Sequence, residues 1–365
     1  MSTWQRRRAG PLIALAVVLL ALLGSCVRRS DERPAVAISG PMQVSHSGRY
    51  VAFYTCLTDH TGSLVGNQMV VADLPQHDIA NRSESRDVFD RPLAWHPKKD
   101  ILVTARCVWS RRLNKLFLMG PDQPEPMDLA PDGLDLLDAR WSPDGNEIVC
   151  EALPRGERGA APAIYRLSGD AAGQSRIPGT TGARIAAVRP CEGGGYLIFL
   201  RYMHRRDDGY DQSISLVRTA TDRSEEVVPV DWHVVSLDDV SADGEKLAMR
   251  RSAAEGAPAE PLVYEWRGTE APTTIAGLRD TILRSTWSPN GDRLLCVGRS
   301  HLWVWTVRTN LVRRLPFEDW QPADGLTPVA WLPDGGALVV GVGSRLLRVD
   351  SEDGSAVLVV DLSAP

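Results

Sequence analysis

The chain has 365 residues, 43% of them hydrophobic, with 41 basic and 46 acidic residues for a net charge of −5. That apolar content is enough for a sizeable core and excludes a wholly disordered chain. Setting aside Arg6, Arg7 and Arg8 leaves 38 basic against 46 acidic residues, which argues against nucleic acid or an anionic membrane surface as the main partner.

In chain order, the first element is a targeting segment. MSTWQRRR is a basic leader, and PLIALAVVLLALLG is an apolar run shorter than the ~20 residues a spanning helix needs. The run stops at Leu23-Gly24-Ser25-Cys26, and VRRSDERP after it is polar and reads as a flexible tether. Residues 1–25 are therefore expected to be a signal peptide, 26–35 a tether and 36–365 the folded domain. Leu23–Cys26 resembles the bacterial lipobox. The resemblance implies a diacylglyceryl group on Cys26 and an exported protein held on the extracytoplasmic face by lipid alone.

Beyond the tether one turn is spelled repeatedly. Trp141-Ser-Pro-Asp-Gly, Trp287-Ser-Pro-Asn-Gly and Trp331-Leu-Pro-Asp-Gly are its clearest copies; looser ones begin at Val44, Trp95, Val188 and Val240. A period in the forties marks a unit that cannot bury itself alone. Pro sets φ for a type I turn, Asp or Asn suits the next position, and Gly takes the left-handed conformation that opens a hairpin. An apolar strand follows each turn (NEIVCEAL, DRLLCVG, GALVVGV), then a third (AIYRL, SISLVR, RLLRVD) and a short fourth. Four antiparallel strands in each of seven units predict an all-β, seven-bladed β-propeller. PAVAIS at 34–39 either adds an outer strand to the last blade or leads into blade one.

The WSPDG turn followed by an apolar strand resembles the WD40-like repeat of TolB-type propellers, across residues 36–365. That resemblance implies an extracytoplasmic propeller. It does not imply the Tol system, because the chain has no room for TolB's additional N-terminal domain.

Similar propellers precede serine peptidase domains, but the sequence has no Gly-x-Ser-x-Gly elbow and nothing after the seventh unit, so no catalytic site is expected. Five cysteines follow Cys26 and none shows metal spacing. Cys150 and Cys296 each lie nine residues after a repeat Trp and read as small buried apolar residues. Cys56 and Cys107 occupy equivalent places, and a bond between them stays open. His46 and His96 read as exposed turn residues, and the acidic run 128–141 as a solvated loop. No metal or cofactor is expected. Trp95, Trp141, Trp287 and Trp331 share one repeat position and read as packing between blades.

The loops joining second and third strands are long in units one to five and short in six and seven. They concentrate Arg106, Arg111, Arg112, Arg155, Arg158, Arg201, Arg205, Arg206, Arg250 and Arg251. The expected partner site is this loop face, above all RYMHRRDDGY with Tyr202, Arg205, Arg206 and Tyr210, flanked by Arg111, Arg112, Arg155 and Arg158. Arginine and tyrosine concentrate binding energy in interfaces. An envelope protein or an anionic envelope polymer is the partner this face would suit, and the chain is expected to be a monomer. The alternatives are a small molecule or glycan at the channel mouth, which would appear as polar or aromatic side chains converging on the axis, and an enzyme whose channel site leaves no linear motif.

Overall fold

The computed structural model describes residues 35–363 except 59–60, 62–63, 83–87, 109–112, 122–125, 130–132, 158, 170–172, 206–209, 253–258, 269–270, 319 and 321–327. Its strands form seven four-stranded antiparallel sheets, the blades of a β-propeller. Every blade uses four strands consecutive in sequence, beginning at the inner edge. The inner strands are Ala35–Val44, Val88–Trp95, Leu134–Trp141, Arg184–Pro190, Val234–Val240, Ile282–Trp287 and Val329–Trp331.

The repeated turn explains itself in atomic detail. In blade three the Ser142 N–H donates to Glu147 O at 2.8 Å, and the Gly145 N–H donates to Ser142 O at 2.9 Å. Blades one, five and six repeat the pair at Ser45, Ser241 and Ser288. The buried Ser142 hydroxyl accepts the Glu147 N–H at 2.9 Å and donates to the Asp144 carboxylate at 2.6 Å. Serine is thus a strut inside the hairpin. Gly145 sits at φ +81°, and a Cβ there would stand 2.5 Å from the His96 ring of the neighbouring blade, so only glycine fits.

The core is segmented as the repeat requires. Seven apolar clusters occupy the seven blade junctions, one each, including the junction of blade seven with blade one. The repeat tryptophans are buried in these junctions. The Trp95 indole N–H reaches back to Gln43 O at 2.8 Å, and that of Trp331 to Thr286 O at 3.1 Å, each one blade away.

Among the described residues, ring closure involves no exchanged strand. Residues 35–39 of PAVAIS belong to the inner strand of blade one, which meets blade seven through side chains and a backbone bond from Ile38 N to Gly343 O at 2.7 Å. His96 departs from expectation: it is 6% exposed, because it occupies the strut position of serine and packs edge-on to Trp141 with centroids 4.7 Å apart. Cys150 and Cys296 are buried, with burial pushing both thiols up to about 12, and Cys56 is unbonded.

Candidate ligand-binding site

Inner strands in propellers line the axis, so their inward side chains decide what the channel holds. Here most inner strands carry a register slip a few residues before the repeat Trp or Val, as at Leu93, Ala186, Asp238 and Leu283. Bulges re-aim side chains, and in blade five the bulged residue is an aspartate.

The axis opens into a cavity of about 720 Å³ lined by residues of all seven inner strands. It reaches the face of the repeated hairpins, where Pro97, Pro143 and Pro289 line it. The loops between second and third strands leave each blade at the opposite end. Trp95, Trp141, Trp287 and Trp331 form part of the wall, beside Arg140, Arg189, Arg284, Asp238, Asp239 and Thr286.

Both wall carboxylates are fully engaged. The Asp238 side chain is buried and accepts from Arg250 Nε at 3.0 Å, Ser236 Oγ at 2.6 Å and the Ser285 N–H at 2.9 Å. Burial raises its pKa, opposed chiefly by Arg250. Asp239 accepts from Arg189 Nη2 at 3.1 Å, Thr286 Oγ1 at 3.0 Å and the Trp287 N–H at 2.9 Å, joining blades four, five and six. Arg189 also donates to Val240 O and Ser241 O at 2.6 and 3.0 Å, and Arg140 pairs with Asp138 at 2.6 Å. Arg284 differs. Among the described residues it makes no ion pair and one hydrogen bond, from Nη2 to Val329 O at 3.2 Å. Burial pushes its pKa down, countered by Asp239 and Asp238.

The residues expected on the loop face divide. Cys26, Arg111, Arg112, Arg158 and Arg206 lie outside the described residues. Arg155 pairs with Asp135 at 3.1 Å, and Arg106 holds the buried Asp90 through two bonds of 2.7 and 2.8 Å. Arg250 is the inward partner of Asp238. Three arginines counted as a basic sector are thus neutralised locally. Tyr202 is half-buried, its hydroxyl 3.2 Å from Gly179 O, whereas Arg205 and Tyr210 are exposed at the tip of a long hairpin, Tyr196–Arg205 with Tyr210–Arg218. Met203 and Tyr210 there are 46% and 54% exposed.

Sequence reasoning passed over Arg140, Arg189, Asp238, Asp239 and Arg284. The available signal was charge inside an inner strand, as in SLDDV and LRSTW, where a strand buried on both faces reads apolar throughout.

No protein-family profile matches the chain, and no curated protein matches it. Solved structures do. The β-propeller domain of the Trilobed protease from Pyrococcus furiosus, which has an open velcro topology, aligns over 90% of this chain and 97% of its own, with 10% identity and a TM-score of 0.59. A prolyl endopeptidase aligns over 87% of this chain at 14% identity and a TM-score of 0.56; the chain spans about half of that enzyme, 47%. Oligogalacturonate lyase in complex with manganese aligns over 90% of this chain and 86% of its own, at 12% identity and a TM-score of 0.56. At 10–14% identity these likenesses are likenesses of fold: the chain is a seven-bladed propeller of the kind also carried by peptidases.

Proposed function

We propose that this propeller is a non-catalytic binding module whose ligand enters the central channel from the hairpin face. One observation carries the reading: a cavity of about 720 Å³ on the axis whose wall includes four tryptophans and five charged residues. That volume and mix of apolar wall with a few fixed polar groups suit a small molecule or glycan unit. Engagement of Asp238 and Asp239 by hydrogen bonds favours binding over acid–base chemistry, since neither is left to exchange a proton with a substrate. The test fills the channel. Ala186 is a half-buried wall residue, and Ala186→Trp places an indole in existing space. Ligands that raise the melting temperature of the wild-type chain should lose that effect in Ala186→Trp; retention would place them elsewhere.

A second reading, a protein partner on the loop face, is favoured by the exposed Met203, Arg205 and Tyr210 of the long hairpin. Arg205→Glu with Arg206→Glu should then remove crosslinked partners without changing the melting temperature.

The lipobox-like Leu23–Cys26 and the TolB-type turn support an exported chain anchored through Cys26 to the extracytoplasmic face. Cys26→Ser should move the protein out of the membrane fraction, because stable anchoring needs the acyl chains. Unchanged fractionation would sink the anchor.

A further inference from the structure

We propose that the channel is an oxyanion site, in which the carboxylate or phosphate group of a small ligand seats on the guanidinium of Arg284. The inference rests on the channel reading and names the chemistry of what enters.

The cavity wall carries three guanidinium groups and two carboxylates. The carboxylates are engaged, as described, by Arg250 and Arg189 together with hydroxyl and backbone donors. Arg189 engages Asp239, Val240 O and Ser241 O, which with Val188 O occupies all three of its nitrogens, and the charge of Arg140 is paired with Asp138. Arg284 has one bond, to a carbonyl. A guanidinium presents five N–H donors in a planar fork that matches a carboxylate or phosphate edge. Those unengaged donors belong to the one wall cation without a carboxylate partner among the described residues.

The indole N–H groups of Trp141 and Trp287 are buried and have no hydrogen-bond partner, although both residues line this cavity and are 8% and 5% exposed. Trp95 and Trp331, at the same repeat position, do find carbonyls. A buried donor without an acceptor is costly. Trp287 is three residues from Arg284, an odd spacing that puts the two side chains on opposite faces of the strand; its ring packs into the junction with blade five, and its backbone N–H is held by Asp239. The unengaged donors of a wall cation that is bonded to no carboxylate among the described residues call for a ligand that brings several lone pairs and a negative charge. A water molecule would supply the lone pairs and leave the charge unmet.

Isothermal titration of the purified full chain at low salt tests this, with inorganic phosphate, citrate and glucose as probes. The expected result is saturable one-to-one binding of phosphate or citrate. In Arg284→Gln it should weaken at least about tenfold, the loss that one charge-assisted partner carries. Arg284→Lys keeps a charge, loses the planar fork and should weaken it several-fold, which keeps the test open if Arg284→Gln folds poorly. Absence of saturable anion binding, or anion binding indifferent to both variants, overturns the inference. Glucose binding that Ala186→Trp abolishes, without anion binding, would leave the channel reading standing and remove the oxyanion.

Discussion

The Ser142 hydroxyl lies between a backbone N–H five residues on and a carboxylate two residues on, the same arrangement recurs at Ser241, and at Ser288 the Asn290 amide oxygen takes the carboxylate's place. Ser142→Ala should therefore cost about 1 kcal/mol, the typical worth of such a bond, read as a lower urea midpoint at unchanged slope. The Ser142 hydroxyl, aided by Asn146 and opposed by burial, holds the Asp144 carboxyl below its ordinary 3.8. For Asp243 burial pushes upward and is outweighed by Ser241, the Glu245 N–H and Lys246. A depressed carboxyl stabilises the fold fully above its unfolded value and loses that stabilisation as pH falls through the folded one. Stability from these hairpins should thus decline below about pH 4. Asp238 and Glu151, raised by burial, act with opposite sign as pH rises through the carboxylate range. Comparing Asp144→Asn with wild type isolates the hairpin: the midpoint gap should narrow between pH 7 and pH 3, and a constant gap would contradict the argument. The Pro, Asp and Gly of this turn are legible from backbone preference alone. The serine is not, because its role depends on which N–H the folded hairpin brings to it. His96 was misread for the same reason: it fills the strut position, which faces inward.

At the scale of the strand, the repeat tryptophans act as packing and as cavity wall together. Trp141→Ala should cost about 3–5 kcal/mol, the range for a buried large aromatic, measured by denaturant unfolding; a cost near zero would mean that the ring is not part of the blade junction. Asp239 ties three blades through one carboxylate. Asp239→Ala strands the Arg189 guanidinium and the Trp287 N–H, and should cost about 2–3 kcal/mol. Blade number, strand order and junction tryptophans were readable because they repeat. The site was not, because channel function depends on what differs between blades: Arg284 in LRSTW, Asp238 and Asp239 in SLDDV, Ala330 in VAW. Without knowledge of the register slip at Asp238, its side chain could not be assigned a face.

The whole molecule closes between blades seven and one by side-chain packing and the Ile38–Gly343 backbone hydrogen bond. Gly341 marks the tightest point described there: a Cβ would stand 2.7 Å from Ile38 and 2.8 Å from Pro328. Gly341→Ala should destabilise by about 1–3 kcal/mol through overpacking. Gly66→Ala in blade one, with its nearest contact at an ordinary 3.7 Å, serves as the control and should change the melting temperature little. Closure was left open by the sequence, since PAVAIS suits either blade by composition and only its register against Tyr50–Thr58 decides. The central claim is that the ring binds through its channel. Native mass spectrometry of the intact chain purified from the cells that express it tests it most directly, comparing wild type, Ala186→Trp, and Arg205→Glu with Arg206→Glu. The account expects a stoichiometric small-ligand mass on wild type and on the arginine pair, absent from Ala186→Trp. A small-ligand mass that persists in Ala186→Trp, or a bound species lost only from the arginine pair, would contradict it.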